Sequence, residues 1–251
     1  MMKALILAAG RGTRLAPLTD SIPKCMVAFN DKPIIDHELQ ALKHNDITDI
    51  AIVGGYLFPV LQKYLQNQSL KFFTNIDFMH TNMVATMFCA QDFMHSCIQQ
   101  KQDLIISYAD IIYTDTIIKK LKNFQGDLGI IIDTEWEKLW RARFADPLSD
   151  AETLKISGDT ITEIGKKPQN IAEIQGQYIG LFKISHRFLP AVLELYASLD
   201  RNALYDGKDF NNMYMTSFLQ ILIDTYHNAS PVYIHRGWTE IDSIEDLKIC
   251  L

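Results

Sequence analysis

Two glycines and three cations stand close together near the start of the chain, in Leu7-Ala8-Ala9-Gly10-Arg11-Gly12-Thr13-Arg14-Leu15-Ala16-Pro17-Leu18-Thr19 and the following Pro23-Lys24. Glycines let a backbone come close to an anion, and successive N–H groups can cradle phosphate oxygens. Arg11, Arg14 and Lys24 concentrate positive charge, and Pro23 presents Lys24 on a stiff turn. The chemistry suggested is the binding of a phosphorylated ligand, with a solvated βα turn as the competing reading. Two known fingerprints fit poorly. A dinucleotide GxGxxG needs glycine where Leu15 stands, and the glycine, lysine and hydroxyl spacing of a Walker A loop is absent.

Other residues carry weaker signals. Asp110 and Asp242 each follow a short apolar run, and only the fold can bring them together; alone, each reads as a cap or turn residue. Asp115, Asp246 and Glu240 lie nearby in sequence and read as solvated or capping. Trp136, Trp140, Arg141, Arg143, Asp150 and Glu152 crowd aromatic, cationic and acidic groups into one stretch. If helical, Trp136 and Trp140 share a face, and ordinary aromatic packing would explain them equally well. Aromatic faces beside carboxylates suit a quaternary ammonium, whereas arginines beside carboxylates suit a zwitterionic amino acid. The seven histidines show no HExxH spacing and no clear nucleophile partner.

The elements that must position these residues follow an α/β pattern. Residues 4–8, 50–53, 70–73, 104–107 and 128–132 read as buried strands. Helical faces fall at Ile34, Ile35, Leu39 and Leu42, at Val60, Leu61, Tyr64 and Leu65, and over 83–94 and 114–123. Asn82 is a natural cap for the 83–94 helix. Continuous apolar strands alternating with helices predict a three-layer, Rossmann-like, mostly parallel mixed sheet with helices on both faces. Such sheets bind ligands at the carboxyl ends of their strands, where Gly10–Arg14, Gly54-Gly55 and Asp110 would fall. Beyond Ile132 the pattern changes. Residues 134–150 read as irregular and 152–164 as a hairpin around Gly158-Asp159. A strand over 177–183, helices over 188–199 and 213–226, and short strands at 232–234 and 239–241 follow, with Ser243 capping a last helix. We read one domain over 1–251, an α/β core at 1–133 and an extension with a closing strand at 134–251.

Composition narrows the function class. With 48% hydrophobic and 22% charged residues, the chain is an ordinary globular protein. A net charge of −6 disfavours nucleic acid as a partner. The four cysteines, Cys25, Cys89, Cys97 and Cys250, form no CxxC pair and no disulfide framework. No stretch reaches the roughly 18 apolar residues of a membrane span, and the run 4–9 is too short for a signal peptide. A soluble cytoplasmic protein without a membrane partner is expected.

The stretch Leu7, Ala8, Ala9, Gly10, Gly12, Arg14, Pro17, Thr19, Pro23, Lys24 resembles the L-A-A-G-x-G-x-R-x-x-P-x-T…P-K signature of the nucleoside-triphosphate transferases that act on sugar phosphates and related small phosphates. Lys32-Pro33-Ile34-Ile35, Val53-Gly54-Gly55-Tyr56, Tyr108-Ala109-Asp110 and Trp238-Thr239-Glu240-Ile241-Asp242 resemble further elements of that family. The resemblance implies transfer of a nucleoside monophosphate. Leu7 to Thr13, with Arg11, Gly55, Tyr56 and Asn82, would bind the nucleotide; Arg14 and Lys24 would be catalytic; Asp110 and Asp242 would hold Mg²⁺, which favours oxygen ligands. Asp110 is followed by Ile111, and Asp242 by Ser243-Ile244, where the hexose enzymes usually show Asn and Gly-Thr. The whole chain is more similar to the phosphocholine, phosphoglutamine and aminoethylphosphonate cytidylyltransferases. The implied substrates are therefore CTP and a small phosphorylated acceptor, serving surface or capsule polysaccharide, in a monomer or homodimer. The acceptor would meet Trp136, Trp140, Arg141, Arg143, Asp150, Glu152, Lys167 and Tyr178. Gly165-Lys166-Lys167-Pro168 resembles an E-K-P element, with Lys166 in place of its glutamate. A hexose-1-phosphate uridylyl- or thymidylyltransferase is the alternative. A non-catalytic nucleotide-binding relative is a third reading, against which Arg14, Lys24, Asp110 and Asp242 argue.

Overall fold

The computed structural model describes residues 2–249. Cys250 lies outside them. In chain order the strands and helices are β1 (Met2–Ala8), β2 (Ala28–Phe29), β3 (Lys32–Pro33), α1 (Ile34–His44), β4 (Ile50–Gly54), α2 (Phe58–Tyr64), β5 (Leu70–Thr74), α3 (Met83–Phe88), α4 (Gln91–Gln99), β6 (Asp103–Tyr108), β7 (Ile111–Tyr113), α5 (Asp115–Asn123), β8 (Leu128–Asp133), α6 (Trp136–Arg143), β9 (Leu154–Ser157), β10 (Thr160–Ile164), β11 (Gln177–Ile184), α7 (Leu189–Ser198), α8 (Met215–Tyr226), β12 (Ala229–Ile234) and β13 (Trp238–Glu240).

Seven strands form the central sheet in the order β12-β8-β11-β6-β1-β4-β5. Every neighbouring pair is parallel except the two made by β11, which runs antiparallel to both β6 and β8. The strands read as continuous apolar runs because both faces are covered. In β1, Ala4, Ile6 and Ala8 enter one apolar cluster with residues of α1, α2, α5 and α6; Leu5 and Leu7 enter the other with residues of α3, α4, α7 and α8. This is the expected three-layer mixed sheet. Truncating a fully buried member such as Leu5 to alanine would cost about 2–5 kcal/mol.

Three departures from the expected pattern matter for the site. The predicted 83–94 helix is two helices, since the backbone leaves the helical region at Ala90. Residues 134–150 are not irregular: α6 buries Trp136, Leu139 and Trp140 at helical spacing and turns Glu137 and Arg141 outward. A single turn, Pro147–Ser149, follows, its N terminus capped by Asp146. The helix expected after Ser243 is one short turn, Asp246–Lys248. The sequence reading also missed β7, which pairs antiparallel with β13 apart from the main sheet. Among the described residues no helix is long and apolar enough to cross a membrane. Cys25 and Cys97 are buried and Cys89 is exposed, all three as free thiols.

Candidate active site

The glycine-rich loop leaves β1 and packs tightly against the turn that carries Lys24. Gly12 has φ +67°, and a Cβ there would sit 2.9 Å from the Lys24 stem. Left-handed backbone and close approach both demand glycine. The Gly12 carbonyl accepts the Leu15 N–H (3.0 Å) and the hydroxyl of buried Thr19 (2.9 Å), which fixes the loop. Gly12, Thr19 and Lys24 of the motif therefore explain one another. Gly10 is different: a Cβ there would meet nothing within 4 Å, so the space beside it belongs to a cavity rather than to the protein's own packing.

That cavity measures about 270 Å³. Leu7 to Gly10, Gly12 to Arg14 and Lys24 line one side, Phe78, Asn82, Met83 and Thr86 another, and Tyr108, Asp110 and Asp242 complete it. Asn82 caps α3, its side chain accepting the Met83 N–H at 2.8 Å, and lines the cavity as well. Beneath it, buried Asn75 donates to the hydroxyls of Thr81 (2.8 Å) and Thr86 (2.9 Å).

Pairing of β7 with β13 brings the two distant aspartates together. Ile111 lies opposite Glu240, and the Ile241 N–H donates to the Asp110 carbonyl at 2.9 Å. Oxygens of Asp110, Glu240 and Asp242 lie within 4.8 Å of one another. The Lys24 ammonium sits among them, 2.6 Å from Asp110 Oδ2 and 2.8 Å from Asp242 Oδ1, and the Arg14 guanidinium pairs with Asp242 Oδ2. Burial opposes the Lys24 charge, but Asp110, Asp242 and Glu240 outweigh it and hold its pKa above the ordinary lysine value. Burial, together with the charge on Asp110, pushes Glu240 up to about 7, with Arg143 and Lys24 acting the other way. Asp110 Oδ1 is buried without a hydrogen-bond partner. Clustered carboxylate oxygens that already attract a cation, one of them unpartnered, fit a hard divalent ion.

A second cavity of about 200 Å³ adjoins the first and shares Met83 and Tyr108 with it. Its other lining includes Trp140, Asp150, Glu152, Gln177, Tyr178, Tyr214, Thr216 and Glu240; among the described residues no lysine, arginine or histidine lines it. The Gln177 side chain brackets the Glu152 backbone, accepting its N–H at 3.1 Å and donating to its carbonyl at 2.5 Å. Burial, and then the Asp150 charge, pushes Glu152 up to about 7. Gly180 in β11 has φ +84°, and a Cβ there would strike the Tyr108 ring at 2.5 Å, so glycine makes room for the aromatic wall.

The structure gathers most of the residues singled out from sequence, but not all. Leu7, Ala8, Ala9, Gly10, Gly12, Thr13, Arg14, Lys24, Asn82, Asp110 and Asp242 line the first cavity, and Trp140, Asp150, Glu152 and Tyr178 the second. Arg11, Gly55 and Tyr56 line neither. The Arg11 guanidinium lies 5.4 Å over the Tyr56 ring, the Tyr56 N–H donates to the Ala9 carbonyl, and Gly55 packs against Ala9 and Phe78. Trp136, Arg141, Arg143 and Lys167 are likewise not brought to the second cavity. Trp136 is buried edge-on to Trp140, Arg141 pairs with Glu137 on the solvent face of α6, and Lys167 is exposed. Arg143 is held in a buried ion pair with Glu240 and Asp246. Glu240 and Asp246, expected to be solvated or capping, are instead a member of the carboxylate cluster and a buried anchor of the turn after it; Asp115 is exposed and pairs with His44. Glu240 stands two residues before Asp242, and side chains two apart in extended chain share a face, a signal that could have found it. Phe78, Gln177, Tyr214 and Thr216 carried no such signal.

Residues 3–137 match the nucleotidyl transferase family. Over 99% of its length this chain is also 55% identical to the CTP:phosphoglutamine cytidylyltransferase of Campylobacter jejuni, covering 98% of that protein. The chain belongs to the nucleotidyl transferase family. As a nucleotidyltransferase it has the fold of solved relatives. The inositol-1-phosphate CTP transferase of T. maritima superposes with a TM-score of 0.76 at 18% identity, covering 98% of this chain and 91% of that one. The CTP:phosphocholine cytidylyltransferase of Streptococcus pneumoniae does so with a TM-score of 0.68 at 19% identity, covering 98% and 95%.

Proposed function

We propose that this nucleotidyltransferase uses CTP and transfers CMP to a small phosphorylated acceptor that carries an ammonium group, with phosphoglutamine the leading candidate. The observation that carries this reading is the pair of adjoining cavities of opposite character, with Asp110 and Asp242 on the first and Glu240 on the second. Extended identity to a phosphoglutamine enzyme supports the choice of substrates.

In this reading the N–H groups from Ala9 to Thr13 hold the β- and γ-phosphates, and Arg14 clamps the leaving pyrophosphate with its planar fork. Lys24 exchanges its carboxylate contacts for the α-phosphate. Asn82 and its neighbours face the base and ribose, and Arg11, Gly55 and Tyr56 support the loop from outside the cavity. An acceptor phosphate oxygen attacks the α-phosphorus; a P–O bond forms there as the bond to the β-phosphate oxygen breaks and pyrophosphate leaves. No general base is required, because a phosphate's second pKa is about 6. Asp110 and Asp242, with Glu240 beside them, would hold Mg²⁺. When bound, that ion supplies charge neutralisation and a template for two anions. The protein's own contribution is to position and to stabilise charge.

For the acceptor, Asp150 and Glu152 offer carboxylates, and Trp140, Tyr108 and Tyr178 offer aromatic faces, the chemistry that receives an ammonium. The cytoplasm is where CTP and such acceptors would meet the enzyme. The test is pyrophosphate release across four nucleoside triphosphates and a panel of small phosphates. Turnover with CTP and an amino-acid phosphate supports the reading; turnover with UTP or dTTP and a hexose-1-phosphate replaces it.

A further inference from the structure

We propose that Arg143 is a positioning residue for the transfer reaction, fixing the Asp110–Glu240–Asp242 cluster by tying the last turn of α6 to β13 and to the turn that follows it. The inference rests on the function proposed above. The Arg143 side chain is only 3% exposed. Its Nη1 donates to Glu240 at 2.7 Å and its Nε to Asp246 at 2.9 Å. Asp246 in turn accepts the N–H groups of Asp242 (3.0 Å) and Ser243 (2.8 Å) and the Ser243 hydroxyl (3.0 Å). One guanidinium therefore holds the cluster twice, directly at Glu240 and through Asp246 at the backbone of Asp242.

Among the described residues three cations face these carboxylates, and they are not equivalent. Arg14 and Lys24 line the first cavity, where a bound phosphate would compete with the carboxylates for them; Arg143 lines neither cavity. It is the cation that stays when the other two are drawn to substrate. Its own helix is fastened at the far end as well, where the Trp238 indole N–H donates to Asp133 at 2.8 Å, just before α6. The Trp140 ring lies near both Trp238 (6.1 Å) and Arg143 (5.8 Å). Arginine suits the site because its rigid planar fork presents Nη1 to Glu240 and Nε to Asp246 in fixed directions, whereas a lysine ammonium is a point charge on a flexible stem.

The test compares Arg143→Gln and Arg143→Lys with the unmodified protein. Mn²⁺ is titrated into each nucleotide-free protein and free Mn²⁺ is read by EPR; kcat and acceptor KM are measured separately. In Arg143→Gln, Mn²⁺ affinity and kcat should each fall roughly ten- to hundredfold, as for other groups that orient metal ligands, while acceptor KM stays within about twofold. Arg143→Lys should recover part of both losses. Equal Mn²⁺ affinity in folded variant and unmodified protein overturns the proposal, and so does a rise confined to acceptor KM, which would make Arg143 an acceptor contact. Should Arg143→Gln not fold, Asp246→Asn, which keeps the Arg143–Glu240 pair, must show the same loss of Mn²⁺ affinity; an unchanged affinity there overturns it. Absence of turnover by the unmodified protein would defeat the proposed function instead, and the Mn²⁺ comparison would still decide the role of Arg143.

Discussion

The two cavities differ in the charged groups they present. The first is walled on one side by loop backbone and carries two cations, Arg14 and Lys24, beside Asp110 and Asp242; the second carries Asp150, Glu152, Glu240 and aromatic rings and, among the described residues, no cationic side chain. Both substrates carry phosphate, so phosphate recognition alone could not sort them. In the proposed reading opposite charge does: the triphosphate would be drawn to the loop of Arg14 and Lys24, and an acceptor with an ammonium group to Asp150 and Glu152. The carboxylate cluster stands at the junction, facing both. On the proposed function, the contrast places selectivity at the end of the acceptor remote from the reacting phosphate.

Substitutions on either side of the junction can break or sharpen that contrast. The largest effect is expected on the cationic side. Lys24→Ala should lower kcat about 10²- to 10³-fold, the scale of losing one positioned charge in a transition state, while CTP affinity measured by calorimetry changes less than about tenfold. Near-normal turnover would remove Lys24 from the reaction. At the junction, Asp110→Asn should lower Mg²⁺-supported turnover about a hundredfold; an unchanged Mg²⁺ activation curve would take Asp110 out of the metal site.

On the anionic side the effects move to the acceptor. Glu152→Gln should raise acceptor KM about tenfold and leave CTP affinity unaltered, as read from steady-state kinetics with each substrate varied. Burial and Asp150 place Glu152 near 7, so it is neutral below that pH and ionised above it. Only the ionised form attracts an ammonium, so acceptor KM should fall as pH rises from 6 to 8. The Glu152→Gln variant should lose that part of the slope and keep only the part due to the acceptor phosphate. The smallest effect is expected at the ring wall. Trp140→Phe keeps an aromatic face but a weaker one, and acceptor KM should rise a few-fold, since such contacts are worth about 0.5–2 kcal/mol; an unchanged KM would leave Trp140 as packing alone.

The two sides also differed in how far they could be read from the sequence. The loop side of the first cavity is built from contiguous chain: Gly12 is forced by its own backbone angle and by Lys24, and Thr19 by the loop carbonyl it holds. Local constraints of that kind leave a local motif. The central strands were legible because burial on both faces leaves unbroken apolar runs. The second cavity depends on the antiparallel pairing of three-residue strands, β7 with β13, and on α6, barely two turns long. Neither is long enough for periodicity to declare itself. Residue type alone misled there. Arg141 and Arg143 looked like ligands for a zwitterion because they are arginines near carboxylates, yet one pairs along its own helix with Glu137 and the other is buried against Glu240 and Asp246. Which face of α6 points inward settles the difference, and that is decided by packing against Trp238, far away in the chain.

The central claim, that opposite charge separates the two substrates, is tested most directly by one competition. The ratio kcat/KM is measured with CTP for an amino-acid phosphate and for the same compound with its amino group acetylated, which keeps the phosphate and removes the cation. The account predicts at least a tenfold preference for the free ammonium, abolished in Glu152→Gln. Equal use of the two acceptors, or faster turnover of a hexose-1-phosphate, whose sugar carries no cation, would contradict it.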